Sequence, residues 1–79
     1  MIHKLKNTPV RELIKALEQD GFEYKRRKGS QRVYRHHDGR RVVLHFHHPK
    51  DTLPLGTLQS FLGGTKWDDD DLKRLRLIS

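Results

Sequence analysis

Val10, Leu13, Ile14 and Leu17 recur three and four residues apart, the spacing of one apolar face of a helix. Thr8 is placed to cap a free N–H, Pro9 suits the first helical position and Gly21 closes the segment, so the pattern predicts a helix over 9–20. The period then changes. Phe22, Tyr24 and the run to Arg27 predict a strand, and Lys28-Gly29-Ser30 a tight turn. Two further strands, Arg32 to His36 and Arg41 to His47, flank Asp38-Gly39, a strong hairpin signal. The middle of the chain is expected to be a three-stranded antiparallel meander.

Pro49 to Pro54 reads as a loop, after which Leu55, Leu58, Phe61 and Leu62 share a helical face until Gly63-Gly64 is expected to stop it. Asp68 to Asp71 then provide an acidic first turn, favoured by the helix dipole, for a short helix over 68–75 with Lys73, Arg74 and Arg76 near its end. That electrostatics accounts for the aspartates without a metal. The order α-β-β-β-α, plus the short C-terminal helix, predicts an α+β fold: a three-stranded antiparallel sheet with helices on one face and the other face open.

A two-residue turn at Asp38-Gly39 would pair Val33 with Leu44, Arg35 with Val42, Tyr34 with Val43, Arg32 with His45 and Ser30 with His47. Cross-strand partners share a face. Val33, Val42, Leu44 and Phe46 would then look toward the helices, and Ser30, Arg32, Tyr34, His36, His45 and His47 toward the open side.

Charge sharpens the picture. Of the net +7, residues 22–50 hold nine Lys/Arg against two acids, and five of the six histidines lie there too. Such a stripe is the footprint of a polyanion-binding face, because neutralised phosphates release their condensed counterions. The hairpin region from Arg26 to His48 is therefore the expected RNA contact, with Arg26, Arg27, Lys28, Gly29, Ser30, Arg32, Tyr34, Arg41 and His45 as its candidates. Tyr34 is placed either to stack on a base or to pack across the strands against Val43. Most of the arginines would meet phosphate, which gives affinity rather than sequence choice.

Seventy-nine residues, 33% of them apolar, are enough for one domain, 1–79, with a thin core. The absence of cysteine excludes disulfides and thiolate zinc ligands. No signal-peptide-like start or membrane-length apolar run is visible, so a cytoplasmic protein without membrane contact is expected. The outward set joins a cation, a hydroxyl and imidazoles, the groups that metal-free RNA cleavage needs: a base for the ribose 2′-OH, a cation for the phosphorane and an acid for the leaving 5′ oxygen. His45 and His47 could bind a metal, but no third ligand stands at suitable spacing, and neither metal nor cofactor is expected.

Several motifs run together along nearly the whole chain: the helix Val10 to Leu17 ending at Gly21-Phe22, Arg27-Lys28-Gly29-Ser30 before Val33-Tyr34-Arg35-His36, the Asp38-Gly39-Arg40-Arg41 turn, and His47 ahead of Leu53-Pro54-x-Gly56-Thr57-Leu58. In this combination the chain resembles the HicA toxins, also grouped as YcfA-like, small mRNA interferases with a double-stranded-RNA-binding-like fold. The resemblance implies a metal-independent ribonuclease toxin that acts on mRNA and is neutralised by a HicB-like antitoxin. It also implies a catalytic histidine in a Gly-Ser-His motif, a position occupied here by Gln31. Glutamine hydrogen-bonds but does not titrate, so it cannot act as general acid or base. Three explanations stand side by side: a change introduced to make a toxic chain expressible, natural inactivation, or transfer of the proton work to a neighbour such as His47. Without chemistry, the same chain would be an RNA-binding module or an antitoxin-binding relic.

Overall fold

The computed structural model describes Leu5 and residues 7–78, in the order α1 (Val10–Gln19), β1 (Glu23–Lys28), β2 (Gln31–Arg35), β3 (Arg41–His45), α2 (Leu55–Thr65) and α3 (Asp69–Arg74). The strands form one antiparallel sheet in sequence order. Its inner side carries Tyr34, Val42 and Leu44 into a single apolar cluster with Leu13 and Leu17 of α1, Leu58 and Phe61 of α2, and Leu72 of α3. The other side is open, as expected for this α+β class.

Thr8 does not cap α1. Pro9 holds the N-cap position in an extended conformation with no side-chain cap, and the free N–H groups of Val10 and Arg11 donate to the carbonyls of Asp51 at 2.8 Å and Pro49 at 3.0 Å. Loop backbone thus does what a hydroxyl would otherwise do at this helix end. At the other end Gly21 takes φ 98°, its N–H donating to Glu18 and that of Phe22 to Leu17, the paired bonds that close a helix over a left-handed residue.

Gly63-Gly64 does not stop α2 either. The helix runs on to Thr65 and ends at Lys66, which takes φ 59°. Gly64 is small because the helix lies on β3 there: a Cβ would come within 2.8 Å of the Arg41 carbonyl oxygen. α3 is closed at its start by a reciprocal box, Asp68 accepting from the Asp71 N–H and Asp71 from the Asp68 N–H.

The decisive difference from expectation is the register of β2 on β3. The His36 N–H donates to the Arg40 carbonyl at 2.9 Å, the Gly39 N–H donates to the His36 carbonyl at 3.0 Å, and Gly39 takes φ 100°. This is a three-residue loop, a turn followed by a left-handed glycine bulge, and not a two-residue turn. Every pair slips by one residue: Gln31 faces His45, Arg32 Leu44, Val33 Val43, Tyr34 Val42 and Arg35 Arg41. A one-residue slip exchanges the two faces of a strand relative to its partner. Tyr34 and Arg32 therefore turn to the helix side, and Val33 and Arg35 to the open side.

Candidate nucleic-acid interface

The open face consists of three cross-strand rows. Nearest the Gly29-Ser30 turn stand Lys28, Gln31 and His45; next come Arg26, Val33 and Val43; then Glu23, Arg35 and Arg41. Between Tyr24 and Arg26 the pairing of β1 with β2 shifts, leaving Lys25 as an extra residue. Such a bulge breaks strict alternation. Lys25 consequently joins Arg26 around Val33, beside Arg35 and Arg41. Five cations, Lys25, Arg26, Lys28, Arg35 and Arg41, surround a floor of Val33 and Val43. Their stems cover enough of Val33 to leave it only 9% exposed. Among the described residues, Lys25 alone of the five is ion-paired, with Glu23 at 3.9 Å.

Gln31 and His45 are direct cross-strand partners, both exposed. The Phe46 N–H donates to the Ser30 carbonyl at 3.2 Å, and His36 bonds Arg40, so the hydrogen-bonded pairs fall on the even-numbered residues of β2. Gln31 and His45 thus form a non-hydrogen-bonded pair, the kind whose Cα atoms approach to about 4.5 Å and whose side chains lie closest. The His45 ring also meets that of His47, edge to face, with centroids 5.6 Å apart.

A second hollow lies round the same end of the sheet, toward the helices. Arg27, Gly29, Ser30, Arg32, Phe46 and His47 line it. Arg27 Nε donates to the Gly29 carbonyl at 2.9 Å, and the Arg32 guanidinium sits 4.7 Å over the Phe46 ring. Ser30, Arg32 and His47, expected on the open face, are here instead. Tyr34 is corrected further: only 3% exposed and packed in the core, it has no ring face free to stack on a base. Burial raises its phenol above the ordinary value, Arg32 partly offsetting this.

His36 is not on the open face. Its side chain is buried against Phe22, with Nε2 2.7 Å from the Asp20 carbonyl and Nδ1 accepting from the Asp38 N–H at 3.1 Å. An imidazole that carries its hydrogen on Nε2 satisfies both bonds. Arg40 is likewise committed, to the carboxylates of Asp20 and Asp38 and the Thr65 carbonyl. No group of three His, Cys, Asp or Glu side chains that could hold a metal comes together among the described residues.

Of the sequence-derived candidates, Arg26, Lys28, Gln31, Arg41 and His45 come together on the open face, and Arg27, Gly29, Ser30, Arg32 and His47 around the adjoining hollow. Lys25, and Arg35 as an outward group, were hidden by the bulge and the loop length.

Residues 10–66 match the family described as the HicA toxin of bacterial toxin–antitoxin systems. The chain belongs to the HicA toxin family. The match runs from the first residue of α1 to the left-handed Lys66 after α2, and so includes the whole sheet. Membership in the HicA family brings a toxin–antitoxin system and hence an antitoxin partner. A comparison with curated proteins found no match. No described helix is long and apolar enough to cross a membrane.

Proposed function

We propose that this HicA-family chain, acting as a single domain over 1–79, is a cytoplasmic ribonuclease toxin that holds mRNA on the open face of its sheet. It would cut the RNA without a metal at the end of the sheet near Gly29-Ser30. A HicB-like antitoxin would neutralise it by covering that face. The observation that carries the reading is the grouping of Lys25, Arg26, Lys28, Arg35 and Arg41 on one solvent-facing surface of a toxin-family fold. Arg26, Lys28, Arg35 and Arg41, paired with no carboxylate among the described residues, are available to phosphates, whereas Arg40 and Arg74 are held by Asp20. Arg26, Lys28 and Arg41 supply affinity on the face itself, with Arg27, Gly29, Ser30 and Arg32 at its rim.

A salt titration tests the contact. If four or five phosphates are neutralised, log affinity for single-stranded RNA falls against log salt with a slope of about −3. A flat titration sinks the reading.

Gln31 favours a second reading, RNA contact without cleavage, because its amide cannot exchange a proton near neutrality. The two readings part on a cleavage assay of the chain as it stands and of Gln31→His. Cleavage by neither leaves a binding module.

A further inference from the structure

Among the described residues, the row Lys28–Gln31–His45 holds the one imidazole on the open face, directly opposite Gln31, the position where the resemblance to the HicA toxins implies a histidine. In a non-hydrogen-bonded pair the two side chains leave the sheet side by side, with Cβ atoms about 5 Å apart. A histidine moved from Gln31 to its partner on β3 therefore stays over the same patch of surface. We propose that His45 is the general base of RNA cleavage in this chain, the titrating group having crossed from β2 to β3.

The proposal rests on the ribonuclease reading above. The groups it needs are grouped at that end of the sheet. His45 is exposed and accepts the proton of a ribose 2′-hydroxyl. The 2′ oxygen bonds to phosphorus while the bond from phosphorus to the 5′ oxygen breaks, and that oxygen takes a proton from the imidazolium of His47, whose ring lies beside His45. Lys28 offsets the charge that builds on the phosphorane, and the Gln31 amide donates to one of its oxygens. The ends left are a 2′,3′-cyclic phosphate and a 5′-hydroxyl. His45 then gives its proton to solvent and His47 regains one.

The face makes this arrangement specific to His45. Neither Val33 nor Val43 in the next row can exchange a proton. His36 is buried behind the sheet against Phe22 and tied to Asp20.

The experiment uses the whole chain and a 5′-labelled, mixed-sequence single-stranded RNA in EDTA. Four proteins are compared: the chain itself, His45→Gln, Gln31→His and the double variant. His45 is exposed, so folding should survive its replacement, and circular dichroism checks that it does. The expected result is cleavage by the parent chain, a fall in kcat of about 10²–10⁴-fold in His45→Gln with RNA affinity kept within about threefold, and recovery in the double variant. Recovery of kcat by a histidine restored on the neighbouring strand is not something a merely structural role for His45 would produce. Undiminished cleavage by His45→Gln overturns the proposal and leaves the ribonuclease reading standing. Cleavage by Gln31→His but not by the parent also overturns the proposal, and leaves a chain that contacts RNA without cutting it on a fold able to carry the chemistry. Salt-sensitive RNA binding by all four with cleavage by none overturns both the proposal and the nuclease reading. Absence of RNA binding from all four removes the RNA reading as well.

Discussion

The indole N–H of Trp67 donates to a carboxylate oxygen of Asp20 across 2.9 Å, tying the segment between α2 and α3 to the end of α1. Arg40 and Arg74 bind the same carboxylate, at 3.1 and 2.9 Å. Burial raises the Asp20 pKa, but the hydrogen bonds from Trp67 and Arg74 and the charges of Arg40 and Arg74 outweigh it, and the net direction is down. A carboxyl lowered in the folded state contributes stability above its unfolded value, near 4, and that stability is lost as pH falls through the folded value. Asp20→Ala should cost about 2–3 kcal/mol at neutral pH, or roughly 10 °C or more in Tm for a domain of this size. The deficit against the parent should shrink below pH 4. An equal deficit at pH 3 and pH 7 in urea melts would contradict it.

Arg40 and Arg41 are neighbours with opposite duties. The Arg40 guanidinium is held by Asp20, Asp38 and Thr65 and lies 4.9 Å over the Phe22 ring, while Arg41 lies on the open face and is paired with no carboxylate among the described residues. Arg40→Ala should lower Tm by several degrees and leave the RNA affinity of the folded protein within about twofold. Arg41→Ala should keep Tm within about 2 °C and weaken RNA binding several-fold at low salt. Calorimetry and fluorescence anisotropy on the pair decide it, and equal effects would refute the division.

Gly63 and Gly64 make a second contrasting pair. Both sit in α2, where alanine gains about 1 kcal/mol of helix propensity over glycine. A Cβ on Gly63 meets nothing within 4 Å, whereas one on Gly64 would sit 2.8 Å from the Arg41 carbonyl oxygen, a backbone atom that cannot rotate away. Gly63→Ala should raise stability by about 0.5–1 kcal/mol, and Gly64→Ala should lower it by about 1–3 kcal/mol. Chemical denaturation that moves both midpoints in the same direction would show that α2 does not press on β3 as described.

β1 presents no buried side chain over Glu23–Lys28 and lies at an edge of the sheet, held by its ladder to β2. Few apolar contacts and an exposed ladder are the marks of a segment that opens locally, below the free energy of global unfolding. Amides of β1 should exchange faster than those of β2 and α1, and bound RNA should slow them. Exchange followed by mass spectrometry checks both, and protection on β1 equal to that of α1 would contradict this.

The elements were legible because their apolar residues keep time: Leu13 and Leu17 mark α1, Val42 and Leu44 mark β3, Leu58 and Phe61 mark α2. The faces were less so. Asp38-Gly39 serves equally as a two-residue turn and as the last two residues of a three-residue loop with a glycine bulge. Whether His37 counts as loop or strand decides which side Arg32, Tyr34 and Arg35 occupy. The carbonyls of Pro49 and Asp51 cap α1 from some forty residues along the chain, beyond the reach of any local capping rule. The bulge at Lys25 lies in a run of cations with no glycine to announce it. For the candidate site, residue types and the end of the sheet could be read ahead; the partnership of Gln31 with His45 needed the loop.

That bulge also bears on how the protein keeps its own company. Unpaired edge backbone invites another chain to add a strand, and a kink together with charged side chains is a common defence. Lys25 to Lys28 put both devices on one strand. Neutralising all four at once would therefore strip the edge of its repulsion as well as the face of its phosphate partners, and self-association would mimic lost RNA binding. One charge at a time keeps the two properties apart.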